Sequence, residues 1–155
     1  MSGRASEGES TTSPSAPIDP DTAAFIASHR VARLATADAD GKPHAIPICY
    51  AFDGRHIYSA LDLKPKRVAW RRLKRVRNLL ANPKIALVID DYSEDWDTLA
   101  YVLLHGVAEI LEGGEERDRA EAMLRRKYPQ YLELLEVGCP ILKIIPQKAT
   151  GWGRI

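Results

Sequence analysis

Between Val31 and Ala60 the chain runs through three short stretches rich in apolar and β-branched residues, parted by two tight turns that each contain glycine. Val31 to Ala37 reads as a strand, Asp38-Ala39-Asp40-Gly41 as a turn and His44 to Phe52 as the returning strand. Asp53-Gly54 is the second turn, and Arg55 to Ala60 the third strand. Turns this short can join strands only in antiparallel fashion, so the segment has to fold as a meander. Pro43 and Pro47 cannot donate ladder hydrogen bonds, which predicts a middle strand that is irregular or partly unpaired.

The rest of the chain adds strands and helices around that meander. Residues 1–18 hold mainly Ser, Thr, Gly, Glu and Pro, a composition that cannot bury enough surface to offset its ordering entropy. They are read as a disordered tail, with one folded domain over 19–155. Asp19 followed by Pro20 is a helix start. A helix is predicted over Lys66–Ala81, stopped by Asn82-Pro83, with Val68, Ala69, Leu73, Val76 and Leu80 inward. Lys84–Asp90 is a buried strand and Leu99–Leu111 a long one, in which Gly106 marks a bulge or bend. Glu115–Tyr128 is a second helix, acidic at its start and basic at its end as the helix dipole favours. A short helical piece at Tyr131–Glu136 and a strand at Pro140–Ile145 complete the chain. Six antiparallel strands in so short a chain are expected to close into a small barrel with helices against it.

Charge is concentrated in one place. Of the fourteen residues from Lys64 to Arg77, eight are Lys or Arg, although the formal net charge of the whole chain is only +1. The run follows the end of a strand and enters a helix, a position that favours a compact anion such as phosphate. A solvated helix face is the alternative, and Arg71, Arg72, Lys74 and Arg75 are read that way. No apolar run has the length of a membrane span, and the default expectation is a cytoplasmic protein. Cys49 and Cys139 lack metal-ligand spacing, His56 and His105 have no ligand partners nearby, and no metal is expected. No Ser-His-Asp spacing or phosphate-binding glycine loop occurs, so no catalytic side chain can be named.

The run Val31-Ala32-Arg33-Leu34-Ala35-Thr36, the Asp-Gly turn, Pro43-His44-Ala45-Ile46-Pro47-Ile48, Ile57-Tyr58-Ser59, Lys64-Pro65-Lys66-Arg67 and Asn82-Pro83 resembles the flavin-binding split-barrel proteins, relatives of pyridoxamine 5′-phosphate oxidase. The likeness spans Asp19 to Trp152. Lys-Pro-Lys-Arg, the loop from Asp91 to Trp96, Lys127-Tyr128-Pro129-Gln130-Tyr131 and the final Thr-Gly-Trp are most similar to the actinobacterial branch that uses the deazaflavin coenzyme F420. The resemblance implies a mainly β, six-stranded split barrel that forms a homodimer with cofactor sites at the subunit interface. It implies an oxidoreductase passing hydride from reduced coenzyme F420 to a small organic substrate, with FMN as the alternative cofactor. By the same resemblance Ala35, Thr36, His44, Ala45, Ile46 and Pro47 would border the ring. Tyr58 and Ser59 would offer groups at the strand end, and Lys64, Lys66 and Arg67 would hold phosphate. Trp152 would approach from the partner chain.

Two departures bear on the cofactor. Pyridoxamine 5′-phosphate oxidase has a basic residue where Ile46 stands, and it carries an Arg-containing end that Thr150-Gly151-Trp152-Gly153-Arg154-Ile155 does not match. Pyridoxamine phosphate is therefore not the expected substrate, and FMN loses one phosphate partner. The extra basic residues suit the acidic polyglutamate tail of the deazaflavin. Two residues keep a plain structural reading beside the functional one: His44 as a strand histidine and Trp152 as an anchor of the terminus. Tyr92 and Trp96, in an acidic loop, read either as interface anchors or as part of the substrate mouth. A non-catalytic flavin, deazaflavin or haem carrier stays open. Nucleic-acid binding is not expected, because aromatics are not interleaved with the charges and the net charge is near neutral.

Overall fold

Asp19 caps the first helix. The computed structural model describes residues 14–61 and 69–155, and in it the Asp19 carboxylate accepts from the N–H groups of Asp21 and Thr22 at 3.1 Å each. The Thr22 hydroxyl and N–H are the main reason this carboxyl lies below its ordinary value. Helix α1 (Pro20–Ser28) buries Phe25 and Ile26. Ahead of it, the Ala16 N–H donates to the Pro146 carbonyl at 2.8 Å, and Ile18 packs against the core. Residues 1–13 of the expected tail lie outside the described residues.

One sheet carries the molecule. Its strands are β1 (Ala32–Ala37), β2 (Pro43–Ile48), β3 (Ala51–Phe52), β4 (Ile57–Ala60), β5 (Lys84–Asp91), β6 (Ala100–Leu111) and β7 (Ile141–Gly153). All the pairings are antiparallel, in the order β2-β1-β5-β6-β7-β4-β3. The sequence predicts six strands and the described residues form seven, because the expected His44–Phe52 strand breaks at Cys49-Tyr50. There the Tyr50 N–H leaves the ladder and donates to the buried Tyr128 hydroxyl oxygen at 3.0 Å. That hydroxyl lies 2.6 Å from the Arg30 carbonyl and 3.0 Å from that of Tyr50, so it ties three backbone groups together. β2 ends the sheet order, and an edge is where Pro43 and Pro47 are tolerated.

The sheet curls. Leu34 of β1, Ile57 of β4 and Ile144 of β7 lie in one apolar cluster although their strands are spread across the sheet. Each such fully buried side chain contributes about 1.5–3 kcal/mol. A second cluster, with Tyr58, Ala60, Leu124 and Ile141, fills the space between β4, β7 and helix α3 (Glu115–Lys127). The expected mainly β class with helices against the sheet therefore holds.

The basic helix is shorter than the sequence predicts. Trp70–Arg72 form a 3-10 turn, Leu73 is extended with ψ 135°, and helix α2 runs only over Lys74–Ala81. Residues 62–68 lie outside the described residues. The later start changes which side faces in: Leu79 is buried, whereas Leu80, expected inward, is 70% exposed. Helix α4 (Tyr131–Leu134) is a single turn after α3.

The expected irregularity at Gly106 is a β-bulge. Gly106 pairs with Pro146 while His105 pairs with Lys148, so Gln147 is the extra residue on β7. A side-chain carbon at Gly106 would stand 2.1 Å from the Ile145 carbonyl oxygen. Before the bulge the even-numbered residues Leu142 and Ile144 face the core, and after it the odd-numbered Ala149 does. We expect Gly106→Ala to cost roughly 2 kcal/mol or more of stability, because backbone must move to admit the methyl group. Urea unfolding checks this, and an unchanged midpoint would mean the strands can separate freely there.

Candidate cofactor-binding face

The strands that bury one set of residues in the curl present the alternate set outward, and ladder pairing lines these up across the sheet. Ala45, Ala35, Ala86 and His105 make one row. Pro47, Arg33, Val88, Leu103 and Thr150 make the next, and Asp90, Tyr101 and Trp152 a third. Alanine side chains rise little above the backbone, so the first row is a shallow floor for a planar ring. Arg33 and Asp90 pair at 2.7 Å beside it. Tyr101 and Trp152 stack with centroids 5.6 Å apart and planes 17° apart, and Trp152 stays 51% exposed.

Not all the expected site residues point onto this floor. Ala35, Ala45 and Pro47 do. Thr36, His44 and Ile46 alternate to the other side, where Thr36 is buried and accepts from Asn78 Nδ2 at 3.0 Å. Ile46 packs against the core and His44 is half-buried opposite Thr36. Lys64, Lys66 and Arg67 lie outside the described residues. Trp152 sits on the outward side, stacked on Tyr101 of its own chain.

Tyr58 and Ser59 are buried in β4, four strand steps from β1 in the sheet order. The Tyr58 hydroxyl donates to Glu116 Oε2 at 2.9 Å and lies 3.3 Å from Asp53 Oδ2. Burial, and then the hydrogen bond to Glu116, push this phenol well above its ordinary value. Lys143, 5% exposed, completes the group with its Nζ 2.8 Å from Glu116 Oε2. The Tyr58 side chain thus locks α3 to β4.

Sequence reasoning missed Arg75. It was read with the solvated helix face, but it is half-buried, and its Nε is shielded from water with no hydrogen-bond partner among the described residues. Burial lowers its pKa, and the nearest compensating influence is Tyr131, which packs in the cluster that holds Ala60 of β4. A partly desolvated guanidinium with a shielded N–H carries a cost that an anionic acceptor would offset. The sequence could not reveal it, because a helix begun at Lys66 has a different phase from one begun at Lys74. Two neighbouring basic residues are paired: Lys74 lies 3.7 Å from Asp38, and Arg71 bonds Glu112 at 3.0 Å. Asn78 Oδ1 is a second buried atom without a hydrogen-bond partner among the described residues, next to Thr36. Lys127 Nζ, also buried, sits 4.0 Å from the centroid of the Tyr50 ring, and burial brings its pKa down to about 8.

A curled antiparallel sheet with helices packed against it defines a split-barrel protein of the flavin-binding kind. The chain belongs to the pyridoxamine 5′-phosphate oxidase family, whose sequence profile matches residues 18–149. A curated relative from Streptomyces rimosus, named 5a,11a-dehydrotetracycline/5a,11a-dehydrooxytetracycline reductase, is 30% identical over 95 residues. The match covers 60% of this chain and 64% of that protein. Among solved structures, Rv2991 of Mycobacterium tuberculosis, a conserved hypothetical protein, superposes with a TM-score of 0.72 at 24% identity, covering 92% of this chain and 89% of the other. The haem storage protein HutZ of Vibrio cholerae gives 0.67 at 14% identity over 88% and 94% of the two chains. An FAD-binding protein of Mesorhizobium loti gives 0.57 at 24% identity over 83% and 88%. No helix among the described residues is long and apolar enough to cross a membrane, and no cluster of His, Cys, Asp and Glu among them could hold a metal ion.

The Glu116 carboxyl allows a test of the lock beneath β4. Burial raises its pKa, but the hydrogen bonds from Lys143 and Tyr58 and the Lys143 charge outweigh this, leaving it below the ordinary 4.5. A carboxyl depressed in the folded chain stabilises above its unfolded value, and the gain is lost as pH falls through the folded one. We expect the urea midpoint to fall as pH drops below 4.5. Glu116→Gln should show a shallower fall between about pH 5 and pH 3. Equal slopes in the two proteins would remove Glu116 from the account.

Proposed function

We propose that the protein is an oxidoreductase that uses reduced coenzyme F420 as hydride donor to a small organic acceptor, with two copies of the chain enclosing the cofactor. The observation that carries this reading is the alanine-lined outward face of β1, β2 and β5; the concentration of basic residues in the sequence after β4 supports it, as does Arg75, whose Nε has no hydrogen-bond partner among the described residues. Ala35, Ala45 and Ala86 would lie under the ring. Arg75, with Lys64, Lys66 and Arg67, would hold the phosphate and the acidic tail. When bound, the deazaflavin supplies the hydride; the chain contributes position, polarity and exclusion of water. The half-exposed Trp152 and Tyr101 would be covered by the second copy, which would also close the site.

Membership in an oxidase family and a relative named as a reductase both support redox chemistry. FMN remains the rival cofactor, since the family is named for a flavin oxidase and an FAD-binding protein shares the fold. Fluorescence titration of the full chain separates the two. We expect saturable binding of coenzyme F420 and weaker binding of FMN, with Arg75→Gln weakening F420 about tenfold through loss of a charge-assisted donor. Tight FMN binding with F420 ignored would overturn the cofactor assignment. An unchanged F420 affinity in Arg75→Gln would remove Arg75 from the site.

A further inference from the structure

A second concavity opens between α2 and the far half of β6, with a volume of about 580 Å³, the size of a pocket for a small ligand. Among the described residues its walls are apolar: the Trp70 indole, Leu79, the exposed Leu80, Pro83 and Ile110. Its polar groups are Arg71 and two carboxylates, Glu109 and Glu112. Glu109 Oε1 lies 3.7 Å from Lys143 Nζ, but that ammonium is closer to Glu116, at 2.8 Å. An anionic ligand would therefore meet two carboxylates here, against the single charge of Arg71.

Arg71 indicates what the pocket prefers. Its guanidinium carbon stands 4.9 Å from the centroid of the Trp70 ring, and Nη2 donates to Glu112 Oε1 at 3.0 Å. An aromatic face and a carboxylate converging on one positive charge is the arrangement that recognises organic cations. Both Arg71 and Glu112 are mostly exposed, so their ion pair is worth little and exchanges readily. We propose that this cavity binds a small amphipathic organic cation, its charged group displacing Arg71 from between Trp70 and Glu112 and its apolar body lying on Leu80 and Pro83. Arg71 acts as the resident stand-in, filling the cation position until the ligand arrives. The site needs no cofactor and does not depend on the redox reading.

Calorimetric titration of the full chain with hexyltrimethylammonium tests this, with hexanesulfonate and hexanol as the anionic and neutral counterparts. Saturable binding of the ammonium is expected, at least about tenfold tighter than either counterpart. Trp70→Ala and Glu112→Gln should each weaken it about fivefold. Arg71→Gln should tighten it, because the internal competitor is gone. A merely greasy groove would bind all three probes alike and ignore the charge variants, and that result overturns the proposal, as does absence of binding or weaker binding in Arg71→Gln. Methyl shifts of Leu80 and Ile110 during titration of the unmodified chain give a readout that no variant can confound. They should move with the ammonium, and their silence would also overturn it.

Discussion

The close approach of β7 to β6 at Gly106 determines what the far half of the sheet shows to its surroundings. One extra residue, Gln147, shifts the alternation of β7 by one position. On the near side of the bulge Ile141, Lys143 and Ile145 face away from the curled core, and Ile141 and Lys143 are buried there against α3 and its neighbours. On the far side Lys148, Thr150 and Trp152 face outward and remain exposed. The same strand thus helps close one end of the molecule and leaves the other end open. Without the bulge Trp152 would turn toward the core and could not stack on Tyr101.

Charge divides along the same axis. The polar groups around α3 are satisfied: Glu116 pairs with Lys143 and accepts from the Tyr58 hydroxyl, and Arg117 pairs with Glu121 at 3.0 Å. The two contacts to Glu116 fasten α3 to the sheet, while the Arg117–Glu121 pair lies within the helix. On α2 the balance is the reverse: the Arg75 guanidinium is partly desolvated, and its Nε has no partner among the described residues. Buried donors without acceptors cost free energy, so a fold that keeps one near an open face has a reason to recruit an anion there.

Much of this was legible in the sequence, because strand alternation and turn chemistry are local. The two glycine turns, the Asp19 cap, the stop at Asn82-Pro83 and the bulge at Gly106 all follow from neighbouring residues. What could not be read depends on distant partners. The break in the middle strand comes from the Tyr128 hydroxyl, 78 positions along the chain from Tyr50. The orientation of Tyr58 depends on Glu116 from α3. The start of α2 at Lys74 decided the fates of Leu80 and Arg75, and no capping side chain announced it. Of the ring-facing residues expected from resemblance, only every second one along β1 and β2 reaches the floor, since a strand cannot turn consecutive side chains to one side.

The central claim is that the outward face of β1, β2 and β5 seats the cofactor. Amide hydrogen exchange of the full chain, with and without saturating coenzyme F420, addresses it most directly. The account predicts added protection concentrated in residues 31–37, 43–48 and 84–91 and around Arg75, where ring and anionic tail would lie. Protection absent from those strands, or confined to the cavity beside Trp70, would contradict it.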